Sequence, residues 1–181
     1  EALALPPSLK AAAPRATRPP LEVLSKADTF LSLHGHALRA CDWLAQHRAL
    51  CGRLVRLVLS FNEIATLSGI GGLPNLEDLD LAYNLVATGR GLGALPRLRR
   101  LDLRSNLLAD AAEVHPLADA VGATLEVLAL RGNGVAESAG FRNAALYLFP
   151  DLAELDGLAV TRAERAAAEA WAAGAAGGVA A

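Results

Sequence analysis

Four stretches of the chain share one spacing, apolar-x-x-apolar-x-apolar-x-x-Asn: Leu54 to Asn62, Leu76 to Asn84, Leu98 to Asn106 and Leu125 to Asn133. The first three begin 22 residues apart and the fourth begins 27 residues later. Inside each stretch the last two leucines alternate with other residues, the period of a strand buried on one face. Leu79 and Leu81 are thus expected to point inward, while Asp78, Asp80 and Ala82 point out. After the Asn the apolar positions fall three apart, at Ile64, Leu67, Ile70 and Leu73. That spacing predicts a short 3₁₀-like return with one residue per turn facing in. The next return follows it less strictly through Val86, Gly89, Leu92 and Leu95, and Pro74 and Pro96 end the two returns. A unit this short cannot bury its apolar face alone, so the period predicts a solenoid of about five to six stacked coils.

The ends of the array are less regular, as caps must be. Asp28 to His36 is a degenerate first unit, with Leu31 and Leu33 in the strand positions and His36 in place of Asn. Leu38, Cys41, Trp43, Leu44, Leu50 and Cys51 then follow a roughly helical period, which predicts a helix on the convex side. Ala111, Val114, Leu117 and Val121 predict a second one. After Asn133 a helix should present Phe141, Ala145 and Leu148 to the end of the stack. Leu152 and Leu155 form a closing half-unit, and Asp156-Gly157 a turn. Thr161 and Glu164 have the spacing of a capping box for a last helix containing Trp171. The domain plan is a Pro/Ala-rich extended arm over 1–26, a solenoid with terminal caps over 27–160, a capping helix over 161–173 and a disordered Ala/Gly-rich tail over 174–181.

The repeated Asn has a physical role in such a stack. Its amide can satisfy backbone groups of the adjacent coil, so Asn62, Asn84, Asn106 and Asn133 are expected to form a ladder. The Leu-x-x-Leu-x-Leu-x-x-Asn unit is that of a leucine-rich repeat, and the chain is read as an α/β leucine-rich repeat solenoid. It should be curved, with a parallel concave sheet and a convex side of 3₁₀ and α segments. The 22-residue spacing and the Asn-x-Ile-x-x-Leu-x-x-Ile return resemble the SDS22-like subfamily. The ending resembles the subfamily's C-terminal cap most specifically, through Phe141-Arg142, Phe149-Pro150-Asp151-Leu152, Leu155-Asp156-Gly157, Val160-Thr161 and Glu164-Arg165. That cap is shared by a phosphatase-1 regulator, the U2 snRNP A-prime protein and many ciliary and flagellar repeat proteins. Two departures stand out. His36 replaces the ladder Asn, and Gly134 stands where the cap motif often has Pro, which predicts a looser loop after Asn133.

Composition narrows the classes. Hydrophobic residues make up 53% of the chain but aromatics only 4%, which suits a thin leucine ladder better than one deep core. A formal net charge of -2 gives no reason to expect direct binding of nucleic acid. No apolar stretch reaches the roughly 18 residues of a membrane span. Cys41 and Cys51 are too few for a disulfide framework and are read as buried free thiols of an intracellular protein. The chain begins with Glu1 and contains no Met, as expected of a trimmed part of a longer product.

Strand alternation places three columns on the concave face. One runs Phe30, Arg56, Asp78, Arg100, Val127, Glu154; the next Ser32, Val58, Asp80, Asp102, Ala129; the third His34, Ser60, Ala82, Arg104, Arg131. Asp78 should lie between Arg56 and Arg100, and Asp80 and Asp102 beside Arg104, with Phe61 and Tyr83 as aromatic anchors at the edge. These charges could simply satisfy one another, each exposed pair contributing roughly 0–1 kcal/mol. The alternative is a docking face made of Arg56, Val58, Phe61, Asp78, Asp80, Tyr83, Arg100, Asp102, Arg104 and Arg131.

Catalysis has little to stand on. Asp80 and Asp102 have no histidine, lysine or metal-spaced ligand beside them on an open sheet. His34 and His36, two apart on a strand, are read as facing opposite ways and unable to share a metal. Gly89-Arg90-Gly91-Leu92-Gly93 lacks the Lys-Ser/Thr of a phosphate loop and is read as a return turn. No cofactor is implied. The resemblance implies a protein partner, foremost an axonemal, dynein- or microtubule-associated one, with this chain a monomer in a larger ciliary complex. The alternative it implies is a regulatory subunit of a protein phosphatase. A splicing role would require a separate RNA-binding subunit.

Overall fold

The structure, a computed structural model, describes residues 29–177, so the arm expected over 1–26 and residues 178–181 lie outside it. Each repeat supplies one short strand, and the strands stack in chain order into a single sheet. They are β1 (Phe30–Ser32), β2 (Arg56–Val58), β3 (Asp78–Asp80), β4 (Arg100–Asp102), β5 (Val127–Ala129), β6 (Glu154–Leu155) and β7 (Leu158–Ala159). β1 to β6 run parallel, and β7 pairs antiparallel with β6. The register places Leu31, Leu57, Leu79, Leu101, Leu128 and Leu155 side by side, each at most 2% exposed. A second row, Leu33, Leu59, Leu81, Leu103 and Leu130, is fully buried behind it. These leucine rows are the core.

The asparagines hold the coils in step. Asn84 Oδ1 accepts from the Ile64 N–H of the preceding coil at 3.0 Å, and its Nδ2 donates to the carbonyls of Leu59 and Leu81 at 2.9 and 3.0 Å. Asn62, Asn106 and Asn133 repeat both contacts one coil away. Each is at most 8% exposed, so these bonds form where water cannot replace them. At the last coil the Asp156 carboxylate accepts from the Leu130 and Arg131 N–H groups at 2.7 and 2.8 Å. His36 opens the array, and its Nδ1 donates to the carbonyl of His34.

The convex side departs from expectation in three places. The returns after Asn62 and Asn84 bury one residue in three, but they are not 3₁₀ helices. They contain isolated turns, such as Ile70 N–H to Leu67 at 3.3 Å. Gly69 and Gly72 have φ of +91° and +87°, which interrupts any right-handed run. A Cβ on Gly69 would also come within 2.7 Å of the Cys41 carbonyl carbon and oxygen. The single helix expected after the first unit is split into a 3₁₀ turn (Asp42–Gln46) and a short α1 (Arg48–Cys51), because the chain leaves helical geometry at His47. The loop after Asn133 is not loose: Gly134 opens a 3₁₀ turn reaching Glu137, and the Val135 N–H bonds to Leu108.

The later helices form where the period placed them. α2 (Ala111–Val121) buries Val114, Leu117 and Val121, with Asp110 as its N-cap accepting from the Ala112 N–H at 2.9 Å. A Cβ on Gly89 would lie 2.5 Å from Leu117 Cγ, so that glycine is needed for α2 to approach. α3 (Phe141–Leu148) buries Phe141, Ala145 and Leu146, while Leu148 is only partly buried.

The C-terminal cap then closes the stack. Asp156 and Gly157, with φ of +54° and +81°, make the two-residue turn that folds β7 back on β6. This antiparallel partner covers the edge of β6 that a further repeat would otherwise occupy. α4 (Arg162–Gly177) begins with the expected capping box: the Glu164 N–H donates to Thr161 Oγ1 at 3.2 Å, and the Thr161 N–H to Glu164 Oε2 at 2.8 Å. It runs four residues beyond the expected boundary at 173, as its alanine-rich sequence favours. Arg142 Nε donates to Glu164 at 2.7 Å, and the Arg165 guanidinium reaches the carbonyls of Leu146 and Leu152. The motif pairs Phe141-Arg142 and Glu164-Arg165 are therefore the two halves of one clamp.

Candidate protein interface

Because the strands are in register, outward side chains form straight columns. Phe30, Arg56, Asp78, Arg100, Val127 and Glu154 align as expected, as do Ser32, Val58, Asp80, Asp102 and Ala129. Arg56 Nε pairs with Asp78 Oδ2 at 3.4 Å and lies 5.8 Å above the exposed Phe30 ring. Arg100, the other cation expected on Asp78, makes no ion pair among the described residues.

Arg104 grips Asp102 with two nitrogens, Nε at 2.9–3.0 Å and Nη2 at 2.7 Å. These hydrogen bonds first, and the Asp102 and Asp80 charges after them, hold the Arg104 proton more firmly than usual. Asp80 makes no ion pair among the described residues; its Oδ1 accepts from the Ala82 N–H at 3.0 Å. Asp80 and Asp102 are thus register partners of which only Asp102 is ion-paired among the described residues. Between β4, β5 and the β6–β7 turn lies a hollow of about 350 Å³, where the short side chains of Val127 and Ala129 meet Arg100, Arg104, Arg131 and Glu154.

The aromatic anchors come together at the edge of this face. Phe61 and Tyr83 stack with ring centroids 4.2 Å apart and an interplanar angle of 21°. His34 lies against the other side of this pair, its ring 4.8 Å from Phe61 and tilted by 48°, with Nδ1 hydrogen-bonded with Ser60 Oγ at 3.1 Å. His34 and His36 lie in the turn that leaves β1, not on the strand. Strand residues two apart share a face, so alternation could not have separated them; separate hydrogen bonds engage the two rings. Among the described residues no group of three His, Cys, Asp or Glu side chains is placed to hold a metal, and no helix is long and apolar enough to cross a membrane.

Two apolar side chains beside the aromatic stack escaped the sequence reading. Leu85 and Leu107, each directly after a ladder Asn, are 46% and 55% exposed. The available signal was their phase: the in-facing residues of those coils are Val86 and Leu108, so the preceding leucines must point away. The cysteines are buried and free as expected. Burial, then the Asp42 charge, pushes the Cys41 thiol up to about 12, and Cys51 Sγ donates to the Leu44 carbonyl.

This geometry agrees with what the chain resembles. A comparison with curated proteins finds no match. Among solved structures it is similar to the Drosophila melanogaster SNF/U2A' complex, with a TM-score of 0.71 and 23% identity over 82% of this chain and 88% of that one. It is also similar to the Mex67 LRR domain of Chaetomium thermophilum, with a TM-score of 0.54 and 21% identity over 81% of this chain and 96% of that one. At these identities the likeness is one of fold. The leucine-rich repeat family model matches residues 52–181. Such domains are protein–protein interaction scaffolds, and the chain belongs to the leucine-rich repeat family.

Proposed function

We propose that this chain is a non-catalytic adaptor of the ciliary or flagellar axoneme that receives a protein partner on its concave side. The observation that carries the adaptor reading is the column register: the stacked coils hold Asp80, Arg100 and Arg131, none ion-paired among the described residues, on one concave face whose edge carries the half-exposed Phe61–Tyr83 stack. Charges and rings fixed before binding lose little freedom on binding, which is how a rigid surface gains affinity. The ciliary assignment is supported by the closing unit, from Phe141-Arg142 to Glu164-Arg165, whose sequence resembles ciliary repeat proteins.

The test is a pull-down from ciliated-cell lysate with the full chain, beside its Asp80→Arg and Arg104→Glu variants, identified by mass spectrometry. Axonemal, dynein- or microtubule-associated proteins should be recovered and then lost in the variants. A phosphatase catalytic subunit recovered instead moves the function to enzyme regulation. An RNA-binding subunit moves it to an assembly like that of the SNF/U2A' complex. Partners that both variants retain remove the concave face from the interface.

A further inference from the structure

Among the described residues, half of the large apolar side chains that stand exposed lie on one strip: Phe61, Tyr83, Leu85 and Leu107, between 46% and 55% exposed. The strip follows the rim where the chain leaves the concave sheet, across the coils that begin at Leu54, Leu76 and Leu98. Phe61 and Tyr83 precede a ladder Asn, and Leu85 and Leu107 follow one. Their backbone is tied coil to coil: the Phe61 and Tyr83 N–H groups donate to Ala82 and Arg104, those of Leu85 and Leu107 to Ile64 and Val86, all within 3.0 Å. The platform is therefore as stiff as the ladder beneath it.

The fold does not require these side chains. Val86 and Leu108 fill the core in those coils, so Leu85 and Leu107 could be polar without loss of packing. Phe61 and Tyr83 occupy left-handed backbone, with φ of +57° and +56°. The same position is glycine, Gly35 and Gly132, in the neighbouring outer coils. A large side chain there costs about 1 kcal/mol or more that glycine would avoid. Apolar groups kept exposed over three consecutive coils, two of them on left-handed backbone, mark a binding surface.

We propose that this rim is the docking site for an amphipathic helix of the protein partner, apolar along one face and carrying lysine or arginine beside it. The proposal rests on the adaptor reading and locates the partner's grip. The coils rise by about 4.8 Å each, close to the 5.4 Å of a helical turn. A helix laid along the rim therefore sets one apolar residue of an i, i+3/i+4, i+7 series against each coil. The charge follows from Asp80, two residues before Ala82-Tyr83, which makes no ion pair among the described residues while its neighbour Asp102 is held by Arg104. An acidic helix would bring its carboxylates against Asp80; a basic one neutralises it.

The experiment is a selection from a display library of random peptides of about 18 residues, five helical turns, with the full chain as bait. Enriched peptides should show apolar residues at i, i+3/i+4 and i+7 with flanking Lys or Arg. One of them, synthesised, should bind at least about tenfold more weakly to Leu85→Glu and Leu107→Glu, as loss of a central apolar contact does. Asp80→Asn should weaken it less and flatten its salt dependence. Arg90→Glu, on the exposed convex return after Asn84, should leave it unchanged. No enrichment, enrichment of acidic peptides, or binding that survives both leucine variants overturns the proposal. So does loss of binding in Arg90→Glu, or a dimer that Leu85→Glu converts to monomer in sedimentation, which would assign the rim to a second copy. Thermal melts establish that the variants fold, and Leu107→Ala serves if the charged variants do not. The peptide readout is independent of cilia: the axonemal pull-down can fail with the rim intact, and the rim can fail while Arg104→Glu still strips native partners.

Discussion

Asn84 is the point at which one side chain decides whether two coils stay in register. It accepts from Ile64 and donates to Leu59 and Leu81, all buried. Alanine there leaves the Ile64 N–H without its partner, while the Leu59 and Leu81 carbonyls keep the bonds they accept from Asn62 and Asn106. One buried orphan costs about 1–3 kcal/mol. Asn84→Ala should therefore destabilise the chain by about 1–3 kcal/mol in urea titration, and the absence of any measurable loss would show that water enters the ladder freely. Cys41 makes a second residue-scale case. Its thiol is fully buried and raised to about 12 from an ordinary 9.0. The native protein should thus resist alkylation at Cys41 at pH 8 and react once urea opens it. The linkage runs toward alkali: a thiol raised by folding favours the native state below pH 9.0, and that contribution is lost as pH rises toward 12. Cys41→Ala should flatten this alkaline limb of the stability curve.

At the scale of elements, α4 is held by a few polar contacts whose strength depends on pH. The Arg142 hydrogen bond first, then those from Thr161, bring the Glu164 carboxyl down to about 2 from 4.5. A carboxylate lowered by folding stabilises the native state above its unfolded value. That stabilisation is lost as pH falls from 4.5 through about 2. Hydrogen exchange should show α4 loosening in this window, and Glu164→Gln should make its protection nearly independent of pH there. The pairs that form this clamp were legible as motif, and the capping box as spacing, because both depend on neighbours close in sequence. The strands and their register were legible because alternation and the 22-residue period leave one phase that buries the leucines. The returns were not: a spacing of three fits a 3₁₀ helix and an irregular coil with isolated turns alike, and only the positive φ at Gly69 and Gly72 decides. Leu85 and Leu107 were missed because a leucine beside an in-facing Val or Leu looks like core until the phase is counted. The β7 hairpin was half legible, since Asp156-Gly157 announced the turn but not the strand behind it.

For the whole molecule, the stack makes stability a chain of nearest-neighbour interfaces, each coil covered by the two beside it. Position along the array should then matter more than side-chain chemistry. Leu101 lies in the middle, 1% exposed, with Leu79 and Leu128 as its register neighbours; Leu155 is equally buried, but in the last parallel strand. Truncating either to alanine removes the same atoms, at a local cost of about 2–5 kcal/mol. The consequences should differ. Leu101→Ala weakens two interfaces, so hydrogen exchange should accelerate from β2 to β5 together and urea should still unfold the chain in one transition at a lower midpoint. Leu155→Ala weakens an end that β7 and α4 cover, so exchange should accelerate in β6, β7, α3 and α4 while β2 and β3 keep their protection. Equal acceleration across all strands in both variants would mean that the solenoid unfolds as one block. In that case the Phe61–Tyr83 rim could not remain ordered while the C-terminal cap opens.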